Sequence, residues 1–281
     1  MKILSKKSLV SIPGSKVTEI KLDAPDIAAK ALPGEFVVVM ADKKGERVPL
    51  TIVNADAQKG TVTLIFQEAG MSTTLLGKLN VGDSLYALVG PLGHATPIKN
   101  YGKIILVGGG VGIAEIYPVA VALKKAGNYV VTVLGARNKD ILILENELRD
   151  ASDELHIATD DGSYGVKGFT TDILRQLLAQ KTYNVVYAVG PIPMMKKVTA
   201  VTREFNVETV VSLNALMVDG TGMCGGCRVT IGGQVKFTCI DGPEFDGQLV
   251  DWNELEKRNK VYSSKEKHVC ELDRLTKWKK S

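Results

Sequence analysis

The chain lacks any apolar run of the ~18 residues that a membrane-spanning helix needs, and its longest hydrophobic stretches are short and strand-like. Its first ten residues hold three lysines and no apolar core, so a secretory leader is not expected and a cytoplasmic location is. Charge of one sign is scarce: a net +4 spread over 281 residues is too diffuse to argue for nucleic acid. Only three histidines occur, His94, His156 and His268, far apart in sequence, and no Ser-His-Asp, Cys-His or hydrolytic metal constellation accompanies them. Cysteine is equally scarce. Of four, three fall between positions 224 and 239, a clustering that in a reducing compartment reads as metal ligation before disulfide formation. What remains is ordinary globular composition, 45% hydrophobic and 23% charged. The 28 glycines are gathered into turns. The length suggests two domains with an appendage.

Three regions follow from the patterning. Residues 1–98 carry short β-branched runs at 17–22, 36–40, 61–66 and 84–89, separated by turn signals such as Pro13-Gly14 and Pro33-Gly34. These predict a small antiparallel barrel, with one helix over 72–79. Residues 99–213 alternate between buried strands (103–107, 129–134, 155–158, 184–189, 209–213) and helical stretches (113–126, 144–150, 170–180, 194–205). That alternation predicts a parallel sheet covered on both faces. Residues 214–281 hold the cysteines around two short strands, 228–231 and 234–238, and end in a polar tail. The tail's final stretch, 265–281, has six Lys/Arg against three Asp/Glu and reads as a solvated helix or frayed end. The fold class is therefore β followed by α/β, with a small C-terminal cysteine segment.

That segment reads Asp219-Gly-Thr-Gly-Met-Cys224-Gly-Gly-Cys227, then eleven residues, then Cys239. A plant-type two-iron cluster wants Cys-x4-Cys-x2-Cys and a distant fourth cysteine. The spacing matches, with aspartate in the first place. Small residues between the ligands let backbone N–H groups reach the sulfurs, and a carboxylate is a competent iron ligand. Two other readings stay open: structural zinc completed by Cys270 or His268, and inert buried cysteines.

Gly108-Gly-Gly-Val-Gly112 ends a buried strand and opens a helix, where backbone N–H groups can meet a pyrophosphate. It is not a clean Gly-x-Gly-x-x-Gly, and the next strand ends in Arg137 where an acidic residue would grip a ribose. Arg137 is a candidate for an adenosine phosphate or an exposed charge. Arg47-Val-Pro49-Leu50-Thr51 and Ala69-Gly70-Met71-Ser72-Thr73 lie in the first region. Read alone, they are a turn and a helix cap.

Barrel, sheet and cysteine segment in that order resemble the ferredoxin–NADP reductase superfamily. Arg47-x-Pro49-Leu50-Thr51 is similar to its flavin motif, and Gly190-Pro191-Ile-Pro-Met194 to its nicotinamide loop, with Ala188 standing where a cysteine is usual. The cysteine segment narrows the resemblance to the branch of electron-transfer subunits. Asp219, Gly135-Ala-Arg137-Asn, Asp160-Asp-Gly-Ser-Tyr-Gly165 and Ser212-Leu-Asn214 are most similar to those of electron-bifurcating NAD(H)/NADP(H)/ferredoxin oxidoreductases. The resemblance implies an oxidoreductase subunit with one FAD, held by Arg47, Pro49, Leu50, Thr51, Ile65, Phe66, Gln67, Gly70, Ser72 and Thr73. It implies NAD(H), with NADP(H) as an alternative, against Gly110, Val111 and Gly112, its nicotinamide near Gly190 and Pro191. It further implies a 2Fe-2S cluster on Asp219, Cys224, Cys227 and Cys239. The expected partner is a larger glutamate-synthase-like flavoprotein and iron–sulfur subunit in a heterodimer, with ferredoxin served through the complex. The alternatives are an electron-transfer subunit of dihydroorotate dehydrogenase, in which cysteine occupies the place of Asp219, and a zinc-stabilised nucleotide-binding regulatory module.

Overall fold

The structure, a computed structural model, describes residues 1–43 and 45–261. Cys270, His268 and the basic stretch 265–281 lie outside the described residues. The first region contains strands β1 (Ile3–Ile12) and β2 (Ser15–Asp23), helix α1 (Pro25–Ala28), strands β3 (Phe36–Met40), β4 (Val48–Thr51), β5 (Asn54–Asp56) and β6 (Thr61–Gln67), helix α2 (Met71–Lys78) and strand β7 (Ala87–Leu92). They form two antiparallel sheets, β1-β2-β6-β5 and β4-β3-β7. The sheets enclose one core of Ile3, Ile20, Leu22, Val37, Val39, Val62, Leu64, Phe66, Leu76 and Leu88.

Short links seam the sheets into a barrel: a bridge between Lys2 and Ser84 at one edge, and Val53 N–H to Thr63 O (3.0 Å) and Ile52 N–H to Glu35 O (3.1 Å) at the other. The strand expected from residue 84 starts at Ala87. Ser84 and Leu85 are tied to the N-terminus instead, through Ile3 N–H to Asp83 O and Leu85 N–H to Met1 O, so pairing with β3 begins at Ala87 opposite Met40.

The second region contains β8 (Lys103–Gly109), α3 (Gly112–Lys125), β9 (Tyr129–Ala136), α4 (Glu145–Asp150), β10 (Glu154–Thr159), β11 (Val166–Lys167), α5 (Thr170–Gln180), β12 (Val185–Val189), α6 (Ile192–Glu204) and β13 (Glu208–Ser212). Successive strand residues face opposite ways, and the sheet uses both sides. Ile104, Leu106, Val130 and Leu134 pack with Ile113, Ile116, Val119 and Leu123 of α3 and Leu148 of α4. Ile105, Val107, Val131 and Val133 pack with Ile173, Leu174 and Leu177 of α5 and Met195 and Val198 of α6. Each such fully buried side chain contributes roughly 1.5–3 kcal/mol relative to exposure.

The third region contains β14 (Arg228–Ile231), β15 (Gln234–Phe237), β16 (Glu244–Asp246) and α7 (Trp252–Asn259). Strand β16 returns to the nucleotide-type sheet and pairs antiparallel with β13, giving the order β11-β10-β9-β8-β12-β13-β16. The residues after Asp251, read from sequence as a polar tail, begin with helix α7. Asp251 caps it by accepting from Asn253 N–H (3.1 Å) and Glu254 N–H (3.0 Å). Leu255 of α7 is buried in the core on the α5/α6 side. No helix among the described residues is long and apolar enough to cross a membrane.

Candidate functional site

Strand order reverses between β8 and β12, and a crevice opens beyond the carboxyl ends of these strands, as in other open α/β sheets. The residues lining it must be small because the two strand ends nearly touch. A Cβ on Gly112 would stand 2.6 Å from Val189 O, and one on Gly190 3.0 Å from Gly109 O. Gly110 has φ +58° and turns the chain into α3. Val111 caps the helix without a side-chain hydrogen bond, while Ile113 N–H and Ala114 N–H turn back to Gly110 O (3.3 Å) and Val111 O (2.9 Å). The cleft has a volume of about 480 Å³, lined by Gly110, Val111, Arg137 and Pro191 from the sheet domain and by Gln67 and Val17 from the barrel. Arg137 is exposed at its rim, with Asp160 at the end of the neighbouring strand.

The residues expected to hold a flavin divide by location. Pro49, Leu50 and Thr51 lie half-buried on β4, with exposed Arg47 just before it. Thr51 lies close enough to the carboxyl of Glu115 on α3 to oppose, in part, the upward push of burial on it. Ile65 packs in the core shared with α3, whereas Phe66, its neighbour on the strand, is 1% exposed and points into the barrel. Phe66 can therefore offer a ligand only its backbone. Gly70 caps α2, with open space where a side chain would stand. The Thr73 hydroxyl accepts from Ala69 N–H and Gly70 N–H, both at 3.1 Å, and so serves the cap. Ser72 donates to the Glu46 carboxylate at 2.8 Å. The space at Gly70 leaves the N-terminus of α2 uncrowded, which suits an anionic group, although the Glu46 carboxylate on Ser72 already stands there.

The cysteine segment is built on glycines in left-handed conformation, Gly220 (φ +78°), Gly222 (+83°) and Gly225 (+65°). Cys227 and Cys239 are 1% and 2% exposed, with sulfurs 3.2 Å apart. Burial, and after it the neighbouring Cys227, raises the Cys239 thiol well above its usual range, while a hydrogen bond from the Gly222 backbone acts the other way. Asp219 accepts from Thr221 N–H (2.8 Å) and Cys224 N–H (3.0 Å), and these bonds hold its carboxyl below the usual value. Cys224 is exposed, its sulfur accepting from Gly226 N–H at 3.3 Å. Two of the four expected ligands thus stand side by side, and the other two share one loop above them. Among the described residues, no group of three or more His, Cys, Asp or Glu side chains surrounds a common point. The donor set fits a thiolate-bound metal cluster: soft sulfur donors, an oxygen donor on the same loop and an amide aimed at sulfur.

Sequence reasoning missed two half-buried carboxyls. Glu115 sits in the first turn of α3 and Glu244 on β16. The Glu244 carboxyl accepts from the Tyr187 hydroxyl of β12 and the Thr96 hydroxyl of the barrel–sheet connection. Glu115 is a lone acid in an apolar stretch, whereas Glu244 is one of several acids in its own stretch and carries no distinguishing signal. The two described histidines do not converge: His156 pairs with Glu154 at 3.3 Å, and His94 is placed by its backbone N–H on Gly242 O.

Comparison with known proteins places these features. Residues 106–200 match the family model "Oxidoreductase NAD-binding domain", and residues 214–251 match "Iron-sulfur cluster binding domain of dihydroorotate dehydrogenase B". The chain is 49% identical over 251 residues to the dihydroorotate dehydrogenase B (NAD(+)) electron transfer subunit homolog of Thermotoga maritima, covering 89% of each. It is 34% identical over 245 residues to the corresponding electron transfer subunit of a Geobacillus species, covering 83% of this chain and 93% of that one. A chain of the NADH-dependent reduced ferredoxin-NADP oxidoreductase structure, solved for insight into flavin-based electron bifurcation, is 44% identical, with TM-score 0.90 and 96% of each chain covered.

Proposed function

The chain belongs to the family of dihydroorotate dehydrogenase B electron transfer subunits and their homologues, and is an oxidoreductase subunit of the ferredoxin–NADP reductase type; from that premise we propose that it passes electrons between NAD(H), an FAD on the barrel and a 2Fe-2S cluster in the cysteine segment, for delivery to a partner flavoprotein. The observation that carries this reading is the meeting of Val17 and Gln67 of the barrel with the glycine turn of the sheet domain in one cleft. When bound, a flavin accepts a hydride and releases electrons singly, and a two-iron cluster carries one electron at a time.

The chain's own residues supply position and dryness. Gly110, Val111 and Gly112 receive a pyrophosphate at the start of α3, and Gly190 and Pro191 set the far wall. Arg47 and the α2 N-terminus neutralise the flavin phosphates. Cys224, Cys227, Cys239 and Asp219 hold the iron, with neighbouring amides donating to sulfur. No general acid or base among the three histidines is required.

Within this reading the partner is a larger glutamate-synthase-like subunit, and the assembly is an electron-bifurcating NAD(H)/NADP(H)/ferredoxin oxidoreductase. Asp219 favours it over a dihydroorotate dehydrogenase assembly, where a cysteine is expected in that place. Val218, Met223 and Ile240, exposed around the cysteine loop with Met223 89% exposed, suit a protein partner there. The test is anaerobic purification of the full chain with iron, sulfide and flavin assays. Expected are iron and sulfide in equal amounts, one FAD, and NADH oxidation with an artificial acceptor but no ferredoxin reduction from NADPH. A colourless, zinc-containing protein would overturn the reading, and a partner-free chain that reduces ferredoxin from NADPH would make it a self-contained reductase.

A further inference from the structure

Two arginines outside the cleft reach the same short turn. Arg228 opens β14, and its Nη1 donates to Gly225 O at 3.3 Å. Arg258 lies in the last turn of α7, and its Nη2 donates to Gly226 O at 3.0 Å. Gly225 and Gly226 are the two residues between Cys224 and Cys227, so both carbonyls of that spacer end on a guanidinium. Each arginine stands on a fixed element. Arg228 pairs with Phe237 across β14 and β15. Helix α7 is held by buried Leu255 and by Lys196 of α6 on Asn253 (2.9 Å). Its Asn259 donates to Asn214 O (2.8 Å) and accepts from Leu216 N–H (3.3 Å) at the start of the cysteine segment.

We propose that Arg228 and Arg258 are positioning residues for the iron–sulfur cluster: they fix the two peptides between Cys224 and Cys227 so that amide hydrogens face sulfur, and their charge makes the cluster easier to reduce. The inference rests on the cluster reading above. A trans peptide is planar, and its C=O and N–H point in opposite directions. Drawing Gly225 O toward Arg228 therefore turns the Gly226 N–H the other way, where it donates to Cys224 Sγ at 3.3 Å. Arg258 fixes the next peptide, between Gly226 and Cys227, in the same manner. Gly225, at φ +65°, and Gly226 carry no side chain that could hold the turn, so its shape is set from outside.

Charge acts in the same direction as geometry. Hydrogen bonds to the sulfurs and nearby positive charge both favour the reduced cluster, which carries one more negative charge than the oxidised one. Among the described residues neither guanidinium forms an ion pair. The acid of the loop, Asp219, is engaged by Thr221 N–H and Cys224 N–H. Arg258 is half-buried and Arg228 exposed, so water and salt screen Arg228 more, and Arg258 carries the larger part of the effect.

The experiment is a reductive titration of the cluster in the iron-loaded full chain at fixed pH, followed by visible absorbance and by the electron paramagnetic resonance of the reduced state. Expected is a midpoint potential shifted negative in Arg258→Gln at native iron and sulfide content, a smaller negative shift in Arg228→Gln and the largest in the double variant. Arg258→Lys should recover toward the native value. A double variant with full iron and sulfide and an unchanged potential would overturn the proposal. Should the glutamine variants lose iron, Arg258→Lys must retain it, and equal loss in Arg258→Lys overturns the proposal as well, because packing rather than charge and donation is then at work. A native chain purified without iron and sulfide fails the cluster reading itself, and is recognised from the iron and sulfide assays before any titration.

Discussion

Asp219 holds two backbone amides, those of Thr221 and Cys224, and is a candidate ligand at the same time. The two roles separate by substitution. Asp219→Cys is expected to keep a full complement of iron while changing the visible spectrum and the reduction potential, because thiolate replaces a harder oxygen. Asp219→Ala loses both roles, and its iron should be released on gel filtration. Iron content, spectrum and potential all unchanged in Asp219→Ala would show that the carboxylate only caps the loop. The spacing of the four candidate ligands was legible because it is a property of the chain as a string. The hydrogen bonds of Asp219 were not, because they depend on left-handed turns at Gly220 and Gly222. Phe66 illustrates a similar limit: alternation along β6 was readable, but which phase faced the core was set by sheet pairing. Glu115, a lone acid in an apolar stretch, was passed over because an acid in a first helical turn is ordinarily explained by the helix dipole.

Among the elements, long apolar strands and periodic helices were legible to within a residue or two, as at α5 (Thr170–Gln180). Strand β1 was not, its lysines hiding the apolar phase, nor were the short strands β4, β5 and β16, whose three or four residues carry little period of their own. Helix α7 was announced by Asp251 and Glu254 in capping-box spacing, but its low hydrophobicity hid it. One tie between elements has a measurable pH signature. Glu154 of β10 accepts from Lys181, after α5, at 2.8 Å, from Tyr129 of β9 at 2.8 Å and from His156 at 3.3 Å. Lys181 first, then Tyr129, holds it down at about 2. A depressed carboxyl contributes stability that is present above the ordinary value of 4.5 and is lost as pH falls toward about 2. With the side chain 26% exposed, solvent screening reduces the effect to about 1 kcal/mol. Glu154→Gln should therefore melt ~1–3 °C lower at pH 7, with the deficit shrinking between pH 4.5 and 3. A deficit undiminished at pH 3 would trace the loss to packing.

At the scale of the whole molecule, the order of barrel, parallel sheet and cysteine segment was readable from glycine and cysteine placement. The return of the last segment to the middle region's sheet was not, because Glu244–Asp246 is too short to announce a strand. That return has a consequence for how the molecule can be taken apart. Strand β16 covers the outer edge of β13, pairing Val210 with Asp246 and Ser212 with Glu244. The cysteine-bearing segment is therefore not a cassette that can be cut away or exchanged by fusion. A chain ended after Leu213 leaves β13 as a bare edge beside uncovered Val211 and Leu213, a template for pairing with another copy. Such a fragment should elute from size exclusion as oligomers while the full chain does not, and a monomeric fragment would show that the sheet tolerates an open edge. Recombination between relatives would for the same reason preserve the sheet only when crossovers keep residues 208–212 and 244–246 from one parent.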